Sequence, residues 1–252
     1  MHQSVHLIAN KCPTWANATQ SGNGLDIDAT VVDDSGRPMP TVQLRVWADS
    51  RVRIKERDPH RWPIACPERH IEAAGTFCLG KGDPLSPKNN REVGIWWDWL
   101  RQFLISQFFA DKERYWPSGR GLHHGKASDI QLKMEELARG TILEEDVRQA
   151  LEEGRGWLAE SLPRLTKDRK RLTNLCAPCP RGCFKRKAPL PKGIHRKKHP
   201  IIRGNCREKG LVHSIIRLEF DRRKCEAEFW YGHPRKVCCG TMVNCPLARD
   251  LQ

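Results

Sequence analysis

Apolar and polar positions first become regular at residues 25–49, "LDIDATVVDDSGRPMPTVQLRVWAD", where near-alternation over "DATVV" and "VQLRVW" predicts two strands. The segment between them, "DDSGRPMP", is rich in turn formers, and "RVRIKE" extends the alternation to a third strand. The expectation is an antiparallel meander. Residues 58–87 carry three Gly and five Pro with no sustained period, which predicts an ordered loop. A helical period then takes over in "NREVGIWWDWLRQFLISQFFADKERYWP": Trp96, Trp99, Leu100, Phe103, Leu104 and Phe108 recur at three- and four-residue spacing, and "WPSGRG" closes the helix. Such a stripe reads as core. Residues 127–165 read as helical pieces with Ser128 and Thr141 as N-caps and Gly140 and Gly154 as breaks. Further on, "LVHSIIRLEF" and "EAEFWY", separated by "DRRKC", read as a β-hairpin.

Charge divides the chain. Residues 166–252 hold 22 Lys/Arg against 7 Asp/Glu, whereas residues 1–165 hold 22 against 23, so the whole positive excess lies in the tail. Eight of the eleven cysteines lie there too, and two modules of different chemistry follow from the asymmetry. The divisions expected are 1–126 for a main α+β domain, 127–165 for a helical linker or subdomain, and 166–252 for a small basic cysteine-rich module. No apolar run approaches the roughly 20 residues that span a bilayer, which argues against a membrane partner. The start, "MHQSVHLIANKCPTW", has neither the basic residues nor the apolar stretch of a signal peptide. A cytoplasmic address is expected, and there an odd number of cysteines reads as metal ligands plus a reactive thiol.

The reactive candidate is Cys78 in "RHIEAAGTFCLG", behind a Gly-Thr-Phe turn and eight residues after His70. A thiol reacts as thiolate, which requires partial exposure. An acyl carrier needs in addition a donor for the tetrahedral oxyanion and no strong base that would spend the thioester on water. A cysteine hydrolase needs His70 within reach of the sulfur and a third group, such as Glu68, to orient that histidine. Cys66, flanked by proline, reads as structural.

The order of meander, Pro-rich stretch, Cys-Leu loop and Trp-rich helix resembles the ubiquitin-conjugating (E2) fold over roughly residues 25–116. It is most similar to the divergent bacterial branch of that family, found in antiphage and ubiquitin-like conjugation operons. The eukaryotic family runs His-Pro-Asn-Ile, a short Gly-containing turn, then Ile-Cys-Leu; "HIEAAGTFCLG" keeps Ile71, Gly75, Cys78 and Leu79 in step. The resemblance implies that Cys78 forms the thioester, that His70 stands where the family has its oxyanion-stabilising asparagine, and that Glu68 stands at the family's histidine. It also implies a missing or shortened first helix, an E1-like activating enzyme as partner, and a ubiquitin-like modifier or nucleotidyltransferase-type target as cargo or acceptor.

In the tail, "CAPCPRGC" supplies Cys176, Cys179 and Cys183 at a spacing that brings thiolates onto one zinc ion. Cys206, Cys225, Cys238, Cys239 and Cys245 complete the candidate ligands, with His195, His199 and His233 as further donors. "CPRGCFKRK" weakly resembles the short SEC-C zinc motif. The basic runs "FKRKAPLPKGIHRKKHP" and "DRRK" suit nonspecific contact with phosphate backbones, and sparse aromatics argue against reading of bases. Three functions of different class remain at this point: a zinc-bearing E2-like acyltransferase, a cysteine hydrolase using Cys78 and His70, and a nonenzymatic zinc protein binding nucleic acid.

Overall fold

A computed structural model describes residues 2–33, 35–81, 85–160, 162–172, 207–233, 238–243 and 245–251. The chain forms two compact units, one of Met1–Gly121 together with Pro234–Gln252, the other of Leu122–His233. No helix among the described residues is long and apolar enough to cross a membrane.

The first unit is α+β. Helix α1 (Gln3–Asn10) precedes strands β1 (Ala16–Ser21), β2 (Gly24–Ala29), β3 (Val42–Ala48) and β4 (Val52–Glu56), and helix α2 (Asn90–Glu113) follows them. The strands pair antiparallel in chain order. Registers Leu25↔Val46, Ile27↔Leu44 and Val46↔Ile54 put the apolar residues of successive strands side by side on one face. That face is closed by Trp96, Trp97, Leu100, Phe103 and Leu104 of α2 and by Val5 and Ile8 of α1, all at most 5% exposed. Each such side chain contributes about 1.5–3 kcal/mol by leaving water. Asn89 caps α2 by accepting from the Glu92 N–H at 3.0 Å, while Glu92 reaches back to the Lys88 N–H at 2.8 Å.

The first helix is short, eight residues, as the resemblance implied, and three differences from the sequence reading have physical causes. Strand β1 has the polar composition of an edge, and its signal is the tight turn: Gly22 takes φ +54°, and a Cβ on Gly24 would come within 2.2 Å of the Val46 carbonyl oxygen. Regular pairing of "DATVV" stops at Ala29, although Val31 remains fully buried. In the α2 stripe Trp97 is 3% exposed and donates to the Ile8 carbonyl at 3.3 Å, whereas Trp99 is half-buried and lies under the loop at Gly80.

The second unit is helical, with α3 (Lys126–Ala138), α4 (Glu144–Glu152), α5 (Trp157–Glu160) and α6 (Lys209–Gly232). The expected hairpin is in fact the continuous helix α6. Its β-branched and aromatic residues favour strand by propensity, but Val212, Ile215, Ile216, Glu219 and Arg222 are the buried positions, a helical spacing that packs against α3. The polar middle supports the helix through Glu219, 1% exposed, which accepts from Arg222 and Arg223 at 2.7 Å. Gly140 and Gly154 break helices with φ +69° and +63° as expected. The caps differ: α3 starts after Gly125, and Ser128 donates to the Gly125 carbonyl instead, while Thr141 accepts the Leu143 N–H ahead of α4.

Candidate active site

The loop carrying Cys78 is held from both ends. Phe77 donates its N–H to Ile54 on β4 at 2.8 Å and stacks on Phe103 of α2 with ring centroids 4.6 Å apart. Strand-like alternation then turns the next side chain outward, and Cys78 is exposed. Its N–H donates to the His70 carbonyl at 2.8 Å, so the two predicted residues are joined through the backbone. On the upstream side, Cys66 and Ile71 exchange both backbone hydrogen bonds, at 2.9 and 3.0 Å, around a single 3-10 turn, Pro67–Arg69.

Arg69 locks that turn to α2. Its side chain is 2% exposed, both terminal nitrogens donate to Asp111 Oδ1 at 2.8 Å, and one also donates to Gln107 Oε1 at 3.3 Å. Gln107 returns a hydrogen bond to the Arg69 carbonyl at 2.7 Å. The following residue, His70, is forced into the left-handed region at φ 54°. Its ring packs on Trp116, with centroids 4.9 Å apart, and Nε2 fills the space beside Gly121, where a Cβ would lie within 2.5 Å.

Cys78 opens into a shallow groove lined by Arg51, Glu72, Thr76, Gly80 and Leu85. Glu72 closes a turn by accepting from Thr76 Oγ1 at 2.8 Å and pairs with Arg51 at 3.4 Å. Loss of hydration, followed by the negative charge of Glu72, raises the Cys78 thiol above its ordinary value, against smaller opposing effects of the Gly80 N–H, Arg51 and Lys81. Glu72 and Arg51 were missed in the sequence reading; the signal for Glu72 was its place opening the Gly75 turn two residues after His70. The charge of Glu68 bears on Cys245.

The predicted metal ligands are scattered. Cys176, Cys179, Cys183 and Cys206 lie outside the described residues, as do His195, His199 and the longer basic run. Cys225 is half-buried on α6, and His233 ends that helix against Phe229 and Trp230. Cys238, Cys239 and Cys245 belong to the first unit, where Cys239 Sγ lies 3.2 Å from Cys66 Sγ. Contact with Cys66 holds the Cys239 thiol down to about 5 and drives Cys66 upward. Among the described residues no three His, Cys, Asp or Glu side chains are already arranged as a metal centre.

Comparison with curated proteins returned no match, and comparison with solved structures returned none. Two family models do match: a prokaryotic E2 domain over residues 14–118, and a cysteine-rich domain C-terminal to the E2 domain over residues 123–247. The meander, the loop and α2 lie within the first match, and the two matches follow one another along nearly the whole chain in the order their descriptions state. The chain therefore belongs to the bacterial E2-like family, as an E2 domain followed by a cysteine-rich domain.

Proposed function

We propose that the protein is an acyltransferase that carries a ubiquitin-like modifier, or a protein C-terminus, as a thioester on Cys78 and passes it to an amine. In the first step the Cys78 sulfur attacks the thioester carbonyl presented by an E1-like activating enzyme, the new C–S bond replaces the old one, and the activating enzyme's thiol leaves with the proton. In the second an amine attacks the Cys78 thioester, an amide forms, and Cys78 leaves as thiol. The observation that carries this reading is an exposed thiol on a loop pinned to β4 and to the His70 backbone, inside the span that matches a prokaryotic E2 domain. The hydrolase alternative calls for a histidine paired with the thiol, and the His70 ring packs on Trp116.

His70 is the proposed oxyanion donor or loop brace, and Glu72 the group that receives the incoming amine's charge. The cysteine-rich domain is the proposed zinc-binding part, and the basic runs of the tail the proposed site of nonspecific nucleic-acid contact. The setting proposed from the family resemblance is cytoplasmic, in bacterial antiviral defence. The test is the fate of a preformed Cys78 adduct. Addition of millimolar lysine, or of a nucleotidyltransferase-type acceptor, is expected to speed its loss at least tenfold over buffer, with amide product; loss to water at the same rate with or without amine would assign a hydrolase.

A further inference from the structure

The cysteines of the first unit do more than pack. Cys66 sits at the stem of the Cys78 loop and is 2% exposed; Cys245, 1% exposed, arrives from the C-terminal segment 179 positions later in the chain. Cys239 Sγ lies 3.2 Å from Cys66 Sγ, Cys238 and Cys245 act on one another electrostatically, and Cys245 also acts on Cys66. Two distant stretches thus contribute one contacting sulfur pair and two further cysteines within electrostatic reach. The segment is fixed by other contacts as well: Val243 donates to the Arg114 carbonyl at 2.7 Å, and Arg114 donates to the Gly240 carbonyl at 3.0 Å. Polar groups also face the sulfurs. The Gly240 N–H donates to Cys238 Sγ at 3.3 Å, and Thr241 Oγ1 lies 3.1 Å from Cys239 Sγ, the outer hydrogen bonds that thiolate ligands commonly receive.

We propose that Cys66, Cys238, Cys239 and Cys245 form a four-thiolate site for a soft divalent cation, zinc by its chemistry, which ties the C-terminal segment to the stem of the Cys78 loop. The proposal deepens the metal-binding reading of the cysteine-rich domain and takes one ligand from outside that domain. Two thiolates each about 2.3 Å from a tetrahedral zinc stand roughly 3.8 Å apart. The 3.2 Å contact is therefore the cation-free spacing, and entry of the ion spreads the pair by about half an ångström as the thiol protons leave to solvent. Because Cys66 exchanges both backbone hydrogen bonds with Ile71, and Ile71 bridges to Phe77, the ion braces the turn that presents His70 and Cys78.

The test uses the full chain, purified under reducing conditions, with metal counted by elemental analysis and the site read by cobalt substitution through thiolate-to-cobalt charge-transfer absorption. Cys66→Ser and Cys245→Ser are each expected to lose one metal equivalent per chain, while Cys12→Ser and Cys78→Ala keep the wild-type complement. The Cys78→Ala control separates failure of this site from failure of the acyl-carrier reading. Should Cys66→Ser not fold, Cys238→Ser replaces it, with the expectation of the same lost equivalent and at least tenfold faster alkylation of Cys66. An unchanged metal content in Cys66→Ser, unchanged Cys66 alkylation in Cys238→Ser, or a metal-free protein whose mass maps a Cys66–Cys239 disulfide would each overturn the proposal.

Discussion

Replacing Arg69 by methionine tests how the loop is held. Methionine fills much of the same volume, so the change is chiefly electrostatic. The variant loses two charge-assisted hydrogen bonds to Asp111 at 2.8 Å and one to Gln107 at 3.3 Å. Removing one partner of a buried ion pair costs about 3–5 kcal/mol, mostly because the other charge is stranded. Here Asp111 is 28% exposed and still accepts from the Trp62 indole and the Arg61 side chain, each at 3.1 Å, which places the cost near the lower end, at about 3 kcal/mol. With a urea dependence of about 1–3 kcal/mol/M, the unfolding midpoint is expected to fall by about 1–3 M. The Gln107 hydrogen bond to the residue-69 carbonyl does not depend on the side chain, so the backbone route to His70 survives in the folded variant. The assay is equilibrium urea unfolding followed by tryptophan fluorescence, with Asp111→Asn as a milder comparison that keeps an acceptor. An unchanged or raised midpoint for Arg69→Met would refute the claim that this pair anchors the turn.

Three further outcomes are expected. Glu72→Gln removes a negative charge that opposes the Cys78 thiolate, so the alkylation rate of Cys78 against pH should shift to lower pH, and a curve identical to wild type would show that Glu72 does not bear on the sulfur. If the His70 imidazole donates to the oxyanion, His70→Asn should keep most of the transfer rate from a preformed thioester while His70→Ala loses roughly 10²-fold; equal rates for His70→Ala and wild type would leave His70 as a brace against Trp116. Burial alone would raise Glu226, yet its ion pair with His124 at 2.7 Å brings it down to about 2 from an ordinary 4.5. A depressed carboxyl contributes stability that is present above its unfolded value and lost as pH falls through its folded one. Thermal unfolding of the full chain should therefore show a loss between about pH 4.5 and 2 that Glu226→Gln lacks, and matching profiles would contradict the pairing.

What was legible in the sequence follows from which forces leave a local trace. Strands β3 and β4, the helix α2 and the loop between them announced themselves because burial of one face imposes a period of two or 3.6 on neighbouring positions. The Cys-Leu loop was readable from its turn and its order among those elements. Strand β1 lacked an apolar period because it is an edge with mostly exposed side chains, and only its Gly-Asn-Gly turn marked it. Helix α6 was hidden by residues such as Val212, Ile215 and Ile216, whose branched side chains favour strands; tertiary packing against α3 overrides that preference. Glu72 and Arg51 come together only because β4 and the loop pair, through Lys55 and Thr76, across the sheet edge. The meeting of Cys66 with Cys239 spans 173 positions, and no local pattern reports a contact at that range.

The most direct measurement is the covalent state of Cys78 after incubation with the cognate activating enzyme, ATP and modifier. Intact mass and non-reducing electrophoresis are expected to show a one-to-one adduct that thiol reductant removes, mapped by digestion to the peptide bearing Cys78, with Cys78→Ser giving a slower adduct that resists reductant and yields to alkali. A reductant-labile adduct that persists in Cys78→Ala would contradict the account.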